Sequence, residues 1–230
     1  MQAGSDYVWN SSDHLAARVS PTNDQDLAAI ARGLSRRSNG YVSSGKNGAS
    51  LPWRSRVERD LMRVFELDHG IVSYVSMPEK VDLVLGGKHH RVVPAVGAVT
   101  VRGPMVFDVF RTDGPQSPAR LAIARAVGDI YAQRSVTYRC LPPARVRAEP
   151  RMANVAYARS WTRMIPNQAT RIRILELVAR ERETWTVERL RKELGDEANG
   201  LFHMAIRRNL WLDLSSSDPH AMRVSMGEGF

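Results

Sequence analysis

Thirteen arginines lie between Arg102 and Arg173 against only four acidic residues, Asp108, Asp113, Asp129 and Glu149, so this third of the chain carries an excess equal to the whole net charge of +9. Arginine forks hold phosphate oxygens two at a time, and a basic stretch of this size is the electrostatic footprint of a duplex-DNA binder. A codon bias would explain the preference for arginine over lysine, of which the chain has four, but not the scarcity of acids. The candidates for phosphate contact here are Arg139, Arg145, Arg147, Arg151, Arg159 and Arg163. Upstream, Arg36, Arg37 and Lys46 belong to a basic, glycine-rich stretch that either orders along a phosphate backbone or is a plain linker.

Two carboxylates have contexts that admit chemistry, Glu58 in Ser55-Arg56-Val57-Glu58 and Asp108 in the apolar run 105–110. The first is also a capping box, in which the serine side chain takes the amide three residues on and the glutamate reaches back to the N-cap amide. The second, in a half-buried strand, belongs by default on the wet face. The pair His89-His90 has no cysteine or third histidine nearby to complete a metal site, and adjacent strand residues point to opposite faces. Both are expected on the surface, beside the turn Gly86-Gly87.

Three fragments, SSGKNGASLPWRSRVERDL at 43–61, GGKHHRVVPAVGAV at 86–99 and MVFDVFRTDG at 105–114, resemble the TnsA family of transposon-end endonucleases. The resemblance covers about 36–163 and implies a restriction-endonuclease-like fold. In that family a helix opens with Ser-x-x-Glu, a strand carries an aspartate after or near a proline, and the next strand carries an acidic or amide residue, a spacer and a lysine. Glu58 falls on the glutamate, Pro94-Ala95 on the aspartate position, and Asp108-Val109-Phe110 on the acidic-spacer-lysine triplet. Mg²⁺ needs near-octahedral oxygen ligands to activate water and neutralise the scissile phosphate. Ala95 offers no ligand and Phe110 no cation, while Arg111 is expected on the opposite face of its strand. The resemblance therefore implies the nuclease fold without the cut, and no metal. If the endonuclease reading holds instead, Mg²⁺ is the cofactor, with Asp82 as a third carboxylate.

The elements that must position these residues read as an α/β chain: a mixed sheet flanked by helices, then a winged-helix domain. Residues 1–50 are expected to be a largely flexible arm, with a short helix near Asp24–Leu34 opened by Thr22 and Gln25 as a capping box. The nuclease-like domain, 51–165, has a helix at Arg56–Glu66 and strands at Ile71–Met77, Val81–Leu85, Arg91–Val101 and Val106–Phe110. A second helix follows, with Ser117 as N-cap and Pro118 at its first position, and then a strand through Val136, Tyr138 and Cys140. In 166–230, helices at 170–183, Val187–Leu194 and Ala198–Arg208 precede wing strands at Trp211–Leu214 and Met222–Ser225. The third helix would offer His203, Arg207 and Arg208 to a major groove. Between Asn167 and Asn209, however, nine basic and seven acidic residues nearly balance, and in the resembled family this region contacts the partner transposase.

With one cysteine, Cys140, no internal disulfide can form, as in a reducing compartment. No apolar run approaches the ~18 residues that span a bilayer, and MQAGSDYVWN lacks a signal-peptide layout, so a cytoplasmic location without membrane contact is expected. The leading expectation is a catalytically degenerate, TnsA-like DNA-binding protein acting as a transcriptional or architectural regulator. An active Mg²⁺-dependent endonuclease and a protein–protein adaptor are the alternatives. Expected partners are double-stranded DNA, a transposase-like or regulatory protein through 166–230, and a second copy of the chain.

Overall fold

A computed structural model describes residues 7–10, 16–23, 25–27, 38–180 and 184–227. The chain is mixed α/β and divides into two compact units, one of 1–62 with 70–145 and one of 63–69 with 146–230. The division thus falls near 145, not near 165. The reason is local: in helix α4 (Arg151–Arg159, with α1 to α3 given below) the fully buried Asn154 donates through Nδ2 to the carbonyls of Leu214 and Ser216 at 2.9 and 2.7 Å. Val155 and Ala158 of the same helix lie in the C-terminal core.

The first unit opens with β1 (Tyr7–Asn10), β2 (Ala16–Pro21), β3 (Gly40–Ser44) and β4 (Ala49–Trp53), so the expected flexible arm is largely strand wherever it is described. Residues 25–27 are helical, and the rest of the expected helix lies outside the described residues. Its cap is one residue later than expected, with Asn23 and Asp26 exchanging amide-to-side-chain bonds at 2.8 and 3.1 Å. Helix α1 (Arg56–Leu67), whose residues from 63 onward belong to the second unit, is followed by β5 (Ile71–Ser76), β6 (Glu79–Leu85) and β7 (Lys88–Val92), then by β8 (Val96–Thr100) and β9 (Gly103–Val109). Next come α2 (Pro118–Gln133), β10 (Thr137–Leu141) and the single turn α3 (Pro143–Val146).

The single strand expected over Arg91–Val101 is two strands in different sheets. One sheet runs β1-β2-β6-β7 and the other β10-β9-β8-β5. Pro94 lies at the crossing, where it has no amide to give a ladder. In the second sheet β5, β8 and β9 are successive antiparallel neighbours, whereas β10 lies parallel to β9 and is reached through α2. The β6–β7 hairpin turns on Gly86 and Gly87, both at positive φ (58° and 72°), as a two-residue hairpin loop demands. Ser117 caps α2 through the Arg120 amide at 3.3 Å. The helix buries Ala126, Val127, Ile130 and Tyr131 against β2, β6 and Val106, and Arg134 beyond its end grips Glu79 of β6 through two contacts of 2.7 and 2.8 Å.

In the second unit the order is α5 (Gln168–Val178), β11 (Trp185–Thr186), α6 (Val187–Leu194), a 3₁₀ turn at Gly195–Asn199, α7 (Gly200–Ile206), β12 (Leu210–Leu212) and β13 (Arg223–Met226). The strands form one sheet in the order β11-β13-β12. Thr186 caps α6 through the Arg189 amide, and Gly195 ends it at φ 61°. The third helix is shorter than expected because its first turn is 3₁₀. Every residue of α7 except His203 is buried, and Phe202 and Leu201 are fully so. Phe202→Ala should therefore cost about 3–5 kcal/mol, read as a lower urea midpoint by circular dichroism.

Candidate functional site

Glu58 and Asp108, far apart in sequence, line one cavity of about 560 Å³ in the first unit, together with Arg54, Arg91, Phe110, Arg111 and Arg120. Glu58 comes from the first turn of α1. Ser55 accepts the Glu58 amide at 3.2 Å, as a capping serine should, but the glutamate reaches back to the amide of Arg54, not to that of Ser55, at 2.7 Å. The Arg54 guanidinium closes on the same carboxylate, with Nε 3.0 Å from Oε1 and 3.3 Å from Oε2, and a terminal nitrogen 2.8 Å from Oε1. Glu58 is 5 % exposed. It is both the helix start read from the sequence and a buried ion-pair partner.

Asp108 is not on a wet face. Its strand β9 is flanked by β8 and β10, and the residue is 9 % exposed. Burial raises the Asp108 carboxyl above the usual carboxylate range, and Glu58 adds to the rise; Arg54, the Val109 amide at 2.8 Å and Arg120 oppose it. Beside it on β10, burial and Asp108 together push the Cys140 thiol up to about 12 and raise the Tyr138 phenol, so both stay protonated. A smaller cavity of about 150 Å³, lined by His90, Ile123, Ala124, Tyr138 and Cys140, shares Arg91, Asp108, Phe110 and Arg120 with the larger one.

Ala95 is fully buried and lies next to the last β8–β9 pair, Val96 with Phe107, at the strand end nearest Asp108. Its carbonyl accepts the Met77 amide at 2.9 Å. Arg111, expected on the opposite face, lines the cavity with Asp108 because β9 ends at Val109 and strict alternation ends with it. Asp82 does not join the site as a third carboxylate. It sits on β6 and is held by Arg91 through contacts of 2.6 and 3.1 Å. The donor set fits Mg²⁺ poorly: one carboxylate is clasped by a guanidinium, and the third position offers no side-chain oxygen, its carbonyl being bonded to the Met77 amide. Among the described residues, no group of three or more His, Cys, Asp or Glu could hold a metal.

The expected DNA-contact residues are distributed over both units. In the first, Arg139 and Arg145 are exposed, whereas the Lys46 ammonium donates to the Ile71 carbonyl at 2.6 Å and ties the β3–β4 turn to β5. In the second, Arg147 and Arg163 are exposed, Arg159 is half-buried, and Arg151 donates to the Val146 carbonyl at 3.1 Å. Arg36 and Arg37 lie outside the described residues. His203 faces the Thr162 carbonyl at 3.1 Å, and Arg207 and Arg208 follow the end of α7, so the helix itself presents little to a groove. His89 is exposed and His90 partly so. No helix among the described residues is long and apolar enough to cross a membrane.

Reasoning from sequence missed Arg54, Arg91 and Arg120 as site residues. Arg54 had a signal, since it stands four residues before Glu58. Compared with protein-family models and with curated protein sequences, the chain finds no match.

Because the Asp108 pKa is raised in the folded state, the folded protein holds its proton to higher pH than the unfolded chain does. That contribution is favourable at low pH and is lost as pH climbs from the ordinary carboxylate range through the raised value. Asp108→Asn, which can still accept the Val109 amide, should therefore be more stable than the parent at pH 7. The advantage should shrink toward pH 4, and paired urea titrations at the two pH values measure it.

Proposed function

We propose that this chain is a duplex-DNA-binding protein of TnsA-like build whose cutting site has been given up, acting as a regulator or architectural subunit. The observation that carries the reading is the meeting of Glu58 and Asp108 in one arginine-lined cavity, with Ala95, which has no side-chain oxygen, at the end of the neighbouring strand. The helix–three-strand–helix–strand order around the second sheet, with its last strand parallel to the third, supports a restriction-endonuclease-like first unit. The order of α5, β11, α6, α7, β12 and β13 supports a winged helix in the second unit. Because α7 is mostly buried and the charge of that unit is nearly balanced, a protein partner suits it better than a groove.

Phosphate contacts are then made by exposed arginines, and binding needs no divalent ion. On duplex fragments in a gel, the protein should retard the DNA equally with Mg²⁺, with Mn²⁺ or with chelator, and leave it unbroken. Replacing Arg139, Arg145 and Arg163 together by glutamine should weaken retardation about tenfold or more. Metal-dependent strand breaks that vanish in both Glu58→Ala and Asp108→Ala would replace this reading with the endonuclease. A stable protein complex indifferent to the arginine replacements, without retardation of DNA, would replace it with the adaptor.

A further inference from the structure

We propose that the arginine-lined cavity is a metal-independent phosphate site, in which Arg54 neutralises Glu58 and Arg120, with Arg91 at the rim, holds the anion. Only the source of the phosphate rests on the DNA-binding reading. The cavity is lined by four arginines and two carboxylates, and one of those carboxylates is already neutralised by the multiple contacts of Arg54. Burial raises the Asp108 carboxyl above its ordinary range, and when protonated it can donate to an anion. With Arg54 paired to Glu58 and Arg91 to Asp82, Arg111 and Arg120 face the single carboxyl of Asp108, and the balance is positive.

Arg120 is the residue best placed to exploit that balance. Its Nε is buried and has no hydrogen-bond partner, an unfavourable condition that a bound anion relieves. The guanidinium is held 5.7 Å over the Phe110 ring, which fixes its plane at little entropic cost on binding. Phe110, which supplies no cation of its own, therefore serves as the platform for one. At the rim, Arg91 is 63 % exposed in its side chain and Arg111 is exposed, so an anion reaches the site from solvent. With about 30 Å³ per water as a measure, about 560 Å³ admits a phosphate together with an attached sugar. A terminal phosphate of DNA and free inorganic phosphate share the chemistry required.

The test is calorimetric titration of the full chain with inorganic phosphate in the presence of chelator, beside gel retardation of duplexes carrying either 5′-phosphate or 5′-hydroxyl ends. Phosphate should bind without metal. Arg120→Gln should weaken it about tenfold or more, the effect of losing a charge-assisted pair. The exposed Arg91→Gln, whose folding is not in question, should weaken it about threefold. Tighter binding of the 5′-phosphate duplex, lost in Arg120→Gln, assigns the site to DNA ends; equal binding of both duplexes with phosphate binding intact assigns it to the free anion. Absence of phosphate binding, a requirement for Mg²⁺, or affinity unchanged in both variants overturns the proposal, and in those cases duplex retardation still stands or falls by itself. Phosphate binding without any duplex retardation supports the site while removing the DNA-binding reading.

Discussion

The clasp of Arg54 on Glu58 is the interaction on which the character of the site depends. A buried carboxylate at the start of α1 must be neutralised, because an isolated charge in a low-dielectric interior is prohibitively costly. A divalent cation is one way to do this and a guanidinium is another. Here the guanidinium approaches both carboxylate oxygens, the Arg54 amide adds a further donor, and the positive end of the α1 dipole favours the same negative charge. Once that pair is formed, Asp108 is left as a lone buried carboxylate whose cheapest state is closer to neutral. Arg54 and Arg91 are then paired with Glu58 and Asp82, and Arg111 and Arg120 are the arginines that face Asp108 in the cavity.

The surroundings follow from that constraint. Ala95 is fully buried, and its carbonyl is used in ordinary backbone bonding to Met77. Phe110 covers the strand end and carries the Arg120 guanidinium. Tyr138 and Cys140 remain protonated next to Asp108, so the thiol is a small apolar group and not a nucleophile.

Much of the framework was legible in the residues. The apolar face of α1, the Ser117-Pro118 start of α2, the Thr186 cap and the Gly195 stop all act locally, through hydrogen bonds within a few positions, and they fall where their residue types dictate. What was not legible depends on partners distant in sequence. Asp108 has the alternation of a solvated residue, and only the pairing of β9 with both β8 and β10 buries it. Arg91 joins the cavity because the chain changes sheets at Pro94, a switch that a continuous run of strand-like residues conceals. Lys46 reads as a cation for phosphate until the fold sets it against the Ile71 carbonyl. The place of α4 in the second unit is hidden for the same reason, since it depends on the Asn154 bonds to the turn after β12.

A protein that holds duplex DNA through arginine–phosphate contacts, with no metal between them, must release counterions when it binds. The most direct measurement is the equilibrium affinity for a defined duplex in chelator as monovalent salt is raised from about 50 to about 200 mM, where six to ten phosphate contacts would cost roughly 10³ to 10⁵ in affinity. A steep, linear fall of log affinity with log salt is the expected result. A flat dependence, or binding that appears only when a divalent ion is restored, would contradict it.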